Sequence, residues 1–98
     1  MMEIKEIMIK VEEQIGEEIH DAKEYAKKAL MCRNEYPELA DLFYTLSGEE
    51  CRHADMLRDR VNSIAAKCTD SKDVFDYLRS ENIENMEKVK RYLSMYAR

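Results

Sequence analysis

The chain has 98 residues, of which 45% are hydrophobic and 38% are charged, with two Gly, one Pro and no Trp. This balance excludes collagen-like, low-complexity and turn-rich β-sandwich chains and favours a single domain of long helices. The net charge of −5 argues against binding to nucleic acid, which needs a basic surface. Three Cys without a CxxC pair fit a reducing compartment, and neither a signal-like segment nor a membrane-spanning run is present, so we expect a cytoplasmic protein without a membrane partner.

Three helices are predicted in chain order. Pro37 separates the first two, over about residues 2–33 and 38–67, because Pro disfavours helix at the preceding residue and suits the first turn of the next helix. Asp70 and Ser71 can accept the first amide hydrogens of a third helix, over about residues 72–96. The apolar phase of that helix slips near Ser80, which leaves open whether it is continuous.

The expected shape is long and thin. Helices of 30 residues are about 45 Å long, so the chain should form an antiparallel helical hairpin with a third helix beside it. Such an all-α arrangement leaves an apolar face uncovered, and a second copy is the simplest cover. We therefore expect a homodimer or a higher homo-oligomer in which two hairpins form a four-helix bundle.

Apolar residues at alternating spacings of four and three predict a core stripe on each of the first two helices. The stripe of the first helix comprises Ile4, Met8, Val11, Ile15, Glu18, Ala22, Tyr25, Ala29 and Cys32. The stripe of the second comprises Leu39, Phe43, Leu46, Glu50, His53, Leu57, Val61, Ile64 and Cys68. Ionised carboxylates inside a core are costly, so Glu18 and Glu50 need a compensating partner.

Glu18, Glu50 and His53 should meet. Counted from a turn near residue 35, all three lie at one level of an antiparallel hairpin, about 23–27 Å from the turn. Their donor types are those that iron, manganese and zinc accept, which predicts a metal site. A buried polar layer that fixes helix register is the alternative. A second ExxH pair, Glu17 and His20, falls on the solvent side of its helix and is not expected to bind metal.

Two segments resemble the ferritin-like superfamily, most closely its rubrerythrin and encapsulated-ferritin branches. Residues 16–26 read GEEIHDAKEYA, similar to the family's ligand Glu followed seven residues later by Tyr. Residues 37–43 and 48–57 read PELADLF and GEECRHADML, similar to the rubrerythrin-type "PEL…LF" and "EExxHAxxL". The resemblance covers about residues 12–60. It implies that Glu18, Glu50 and His53 are metal ligands, with Glu50 bridging, and that Tyr25 lies beside the metals.

The third helix lacks the second half of the family's ligand set. It contains no His, and its best stripe contains no acid: Phe75, Leu78, Met86, Val89, Leu93 and Tyr96. The resemblance therefore implies a two-metal centre completed between two chains, with two iron ions per dimer expected and manganese or zinc possible. It implies ferroxidase-type oxidation of iron. The family's rubredoxin-like cysteine cluster is missing, so any electron donor would be a separate molecule.

Two other interpretations stay open at this point. The chain could be a non-catalytic helical interaction or adaptor protein that keeps a buried polar layer or a single structural zinc. An acidic adaptor that uses its third helix to bind another protein is a further possibility.

Overall fold

The structure is a computed structural model that describes residues 2–68 and 73–98. The described chain forms three α-helices and no strand: α1 (Ile4–Cys32), α2 (Pro37–Ala65) and α3 (Asp73–Ala97). The prediction of an all-α chain is confirmed. The predicted capping of the third helix by Asp70 and Ser71 lies outside the described residues.

The chain reverses direction between α1 and α2 in a short turn. Pro37 is the first residue of α2, where a missing backbone N–H leaves no hydrogen bond unmade. The backbone N–H of Tyr36 donates to the carbonyl oxygen of Cys32 at 2.8 Å and ties the turn to the end of α1. The two helices pack closely as the predicted antiparallel hairpin.

The third helix packs on one side of this hairpin. α1 lies along both α2 and α3, whereas α2 and α3 contact each other little. α3 runs in the direction of α1, since Asn82 bonds to Glu12 and, further along both helices, Arg33 Nη1 donates to the carbonyl oxygen of Met95 at 3.0 Å. The molecule measures 52 × 22 × 15 Å, in keeping with the expected thin shape.

α3 is a continuous helix through the phase slip near Ser80. The slip arises because Asn82, a polar residue, occupies a buried position between the apolar residues Phe75 and Met86. The side chain of Asn82 is only 6% exposed and is hydrogen-bonded, so its burial does not interrupt the helix.

The prediction of two continuous core stripes is wrong in part. Alternate members of the α1 stripe are buried, namely Met8, Ile15, Ala22 and Ala29, whereas the members between them are at least partly exposed. On α2 the only buried member of the stripe is Val61. The buried line of α2 consists of smaller side chains that allow close approach to α1: Ala40, Ser47, Ala54, Val61 and Ala65. A hairpin of two helices covers only one flank of each stripe, and the other flank needs a further layer.

The uncovered flanks form one surface, which we call the open face. It comprises the partly exposed stripe residues: Ile4, Val11, Glu18, Tyr25 and Cys32 of α1 with Leu39, Phe43, Leu46, Glu50, His53, Leu57 and Ile64 of α2. Glu12 of α1 and Tyr44 of α2 lie on the side that faces α3, because they contact Asn82 and Tyr96. Glu18 and Glu50 follow them by six residues, so each lies about 120° further around its helix. The open face is therefore turned away from α3.

Candidate metal centre

Three side chains converge at the middle of the open face. Glu18 projects from α1, and Glu50 and His53 project from consecutive turns of α2. One possible ligand atom from each side chain lies within 4.8 Å of the others, the one such group of three found among residues 2–68 and 73–98. The structure therefore brings together the three residues that were predicted to meet from their equal distances to the turn.

The imidazole of His53 faces both carboxylates. Its Nδ1 atom lies 3.5 Å from Oε2 of Glu18 and 3.8 Å from Oε2 of Glu50. The other oxygen of Glu18, Oε1, accepts a hydrogen bond of 3.0 Å from Nε2 of Gln14, one turn earlier on α1. The carboxylate of Glu18 is thus oriented by a neighbour, with its second oxygen directed to the shared centre.

The two carboxyl groups perturb each other's protonation. Their hydrogen bond is the largest cause in both cases: it raises the pKa of Glu50 to about 7 and lowers the pKa of Glu18. Burial further raises the pKa of Glu50, as does the negative charge of Glu18. Near neutral pH the two carboxyl groups therefore share one proton. A cation bound between the two carboxylates would replace this proton.

The three side chains are less buried than a core stripe requires. The side chains of Glu18 and Glu50 are 19% and 22% exposed, and that of His53 is 47% exposed. The expectation that the two carboxylates lie inside the core of the chain is therefore wrong for the single chain. They lie on the open face because the α1–α2 contact covers only the opposite flank of the stripe.

The buried carboxylate of α1 is Glu12, which the sequence analysis missed. Glu12 is fully buried, and Asn82 Nδ2 donates to its Oε1 at 2.9 Å and to its backbone oxygen at 2.8 Å. Gly16 gives this amide room, since a Cβ at position 16 would lie 3.1 Å from Asn82 Oδ1. The phase slip that puts a polar residue into the stripe of α3 was the available signal for this contact.

Tyr25 lies on the open face, further along α1 toward the turn. Its ring stacks on Phe43 of α2 with centroids 6.1 Å apart. Seven residues separate it from Glu18, which is about 10 Å along the helix axis. The role of Tyr25 beside a metal stays a prediction.

The second ExxH pair behaves as the helical phase predicts. Glu17 and His20 are both exposed. They line a groove with Leu78 and Asn82 of α3, and they do not join the cluster formed by Glu18. Spacing in the sequence is the same in both pairs, so position on the helix separates them.

A groove of about 460 Å³ adjoins the cluster on the open face. It is lined by Gln14, Glu18, His53, Met56, Leu57 and Arg60. The groove gives solvent and small molecules a path to the imidazole and to one carboxylate.

The donor set fits a transition metal ion. Two carboxylates and one imidazole match the oxygen and nitrogen donors that iron, manganese and zinc accept. Three side chains occupy only part of the coordination shell of iron or manganese, which leaves positions for further ligands. Gln14 supplies the outer hydrogen bond that typically orients a ligating carboxylate.

Neither the protein-family models, nor the curated proteins, nor the solved structures contain a match to this chain. The resemblance to ferritin-like proteins therefore depends on the motifs quoted above. None of the helices in the described part of the chain has both the length and the apolar character needed to cross a bilayer.

Proposed function

We propose that this protein binds metal ions through Glu18, Glu50 and His53. The observation that carries the proposal is the convergence of one donor atom from each residue within 4.8 Å. Two carboxylates repel each other when both are ionised, and a bound cation removes that repulsion. The pKa of Glu50 is raised to about 7, first by its hydrogen bond with Glu18, then by burial and then by the negative charge of Glu18.

A second copy of the chain completes the site in this proposal. Three ligands are half of the set used by ferritin-like two-metal centres, and two hairpins supply the full set. Exposed apolar residues of the open face support this pairing: Ile4 and Leu39, at its two ends, are 57% and 43% exposed. Packing two open faces together would bury these side chains and place α3 of each chain on the outside of a four-helix bundle.

The chemistry that suits this site best is oxidation of ferrous iron, with iron as the substrate. Two ferrous ions give up two electrons, which reduce dioxygen to hydrogen peroxide with uptake of two protons, or reduce peroxide to water. Carboxylates favour the ferric product because they offset its larger positive charge. The groove beside His53 provides access for the oxidant. Returning the iron to the ferrous state requires a separate electron donor.

The second candidate function is a non-catalytic interaction protein. The proton shared by Glu18 and Glu50 favours this function, because the hydrogen bond gives the two carboxyl groups a partner when no metal is bound. In this alternative the cluster fixes the register in which two helical surfaces pair.

Elemental analysis of protein purified without chelator, together with its mass by light scattering, separates the two functions. The metal-centre proposal predicts one iron or manganese per chain, or a multiple, in a dimer or larger oligomer. It also predicts that Glu50→Gln loses the metal. A protein that takes up no metal after reconstitution contradicts the proposal and leaves the interaction function. Ferrous oxidation assays then test the chemistry.

A further inference from the structure

One methionine lies beside the candidate metal centre. Met56 is 58% exposed and lines the groove that also contains Glu18 and His53. It follows His53 by three residues on α2, so the two side chains lie on the same side of the helix with Cβ atoms about 5–6 Å apart. Among the methionines that the structure describes, no other one lines this groove.

Other exposed methionines provide internal references. Met31, near the end of α1, is 79% exposed and is the most exposed of the described methionines. Thirteen residues separate it from Glu18, which is about 20 Å along the helix. Met95 and Met2 are 49% and 44% exposed and lie on α3 and before α1. Solvent exposure alone therefore predicts that Met31 is oxidised faster than Met56.

We propose that Met56 is the oxidation-sensitive residue of the metal centre, converted to the sulfoxide by peroxide at the iron-loaded site ahead of the more exposed Met31. This inference rests on the proposed binding of iron by Glu18, Glu50 and His53. In the reaction the peroxide O–O bond breaks, one oxygen bonds to the thioether sulfur, and the other leaves as water. Sulfur loses two electrons and peroxide gains them, so no further reductant is needed.

The iron accounts for the selectivity. A metal ion acts as a Lewis acid that polarises an oxygen substrate, so peroxide is more reactive at the loaded site than in bulk solvent. Met56 shares the groove through which peroxide reaches that site, whereas Met31 meets only peroxide in bulk solvent. Proximity thereby outweighs the larger exposure of Met31.

Oxidation of Met56 also changes the border of the open face, because Met56 shares the groove with Leu57 and His53, which belong to that face. The sulfoxide is polar and replaces a flexible apolar side chain next to Leu57. A polar group at this position weakens the packing of a second open face, so the modification lowers the stability of the dimer. Peroxide thus weakens the dimer through oxidation of Met56, and enzymatic reduction of the sulfoxide reverses the change.

The experiment compares sulfoxide formation at each methionine with and without iron. Protein loaded with iron and oxidised to the ferric state, so that the metal does not itself reduce the peroxide, and protein treated with chelator receive the same limiting amount of hydrogen peroxide and are digested for mass spectrometry. The ratio of sulfoxide at Met56 to that at Met31 is expected to be below one without metal and well above one with iron. In Glu50→Gln, which should not hold iron, the ratio is expected to stay below one under both conditions.

The iron content of each sample is measured beside the sulfoxides. Iron-loaded protein in which Met31 is oxidised at least as fast as Met56 overturns this inference and leaves the metal centre standing. A protein that binds no iron overturns both. The effect on assembly is tested with Met56→Leu, which conserves size: its mass by light scattering should be unchanged by peroxide, while that of the wild-type protein falls. An equal fall in both overturns the link to assembly.

Discussion

Nδ1 of His53 lies 3.5 Å from Oε2 of Glu18, which joins α2 to α1 at the centre of the open face. The same nitrogen lies 3.8 Å from Oε2 of Glu50, so one imidazole faces two carboxylates from two helices. The ring and the two acids form a compact donor set whose members come from distant parts of the chain.

Replacing His53 with Ala should abolish metal binding. The substitution removes the one nitrogen ligand and leaves two oxygen ligands, so we expect affinity for iron or manganese to fall by more than about 100-fold. Calorimetric titration and elemental analysis measure the loss. His20→Ala is the matched control, since His20 is also preceded by a Glu three residues earlier but is exposed away from the cluster. Equal losses in both variants would contradict the assignment.

The stability of the metal-free protein should fall as pH rises toward 7. The pKa of Glu50 is about 7 in the folded protein and 4.5 as the ordinary value of a glutamate side chain, so the folded state binds more protons between these values. The stabilisation from Glu50 is therefore complete below about pH 4.5 and is lost as pH rises through 7. The lowered pKa of Glu18 acts in the opposite direction only near and below pH 4.5.

Urea unfolding at several pH values between about 5 and 8 measures this effect. Glu50→Gln should remove the part of the pH dependence that belongs to this residue, and an unchanged slope in the variant would refute the assignment. Metal affinity should change in the opposite sense, rising with pH through 7, because the ion competes with the proton on Glu50.

A charge on the open face should prevent self-association. Leu39→Glu places a carboxylate at one end of the open face, where packing of a second copy would desolvate it. We expect this variant to be monomeric by light scattering while keeping its helical circular dichroism. Ile83→Glu, on α3, is the control, because Ile83 is 44% exposed and Leu39 is 43% exposed. If the Ile83 variant dissociates and the Leu39 variant does not, a different surface forms the dimer.

Asn82→Ala should destabilise the packing of α3 on α1. The variant removes both hydrogen bonds to Glu12 and leaves a fully buried carboxyl group without a partner. The expected cost is about 1–3 kcal/mol in the free energy of unfolding. Asn85→Ala, one turn later and less buried, should cost much less. Chemical denaturation compares the two, and equal costs would mean that Asn82 does not hold α3 in place.

Local features of the sequence are sufficient to predict the helices and the position along them at which the cluster forms. Pro37 sets the start of α2, because its ring suits the first turn of a helix. A regular rise per residue then places Glu18 opposite Glu50 and His53 once the chain reverses there. The same regularity separates the cluster from Glu17 and His20, since helical phase depends only on spacing.

Tertiary packing decided which flank of each stripe is covered. Periodicity identifies the apolar side of a helix, but it carries no information on where the neighbouring helix sits on that side. The placement of α3 beside α1 made Glu12 the buried acid and Asn82 its partner, whereas Glu18 remained on the open face. Glu12 and Glu18 are six residues apart on α1, which places them about 120° apart around the helix. The position of α3 decides that the first is buried and that the second lies on the open face.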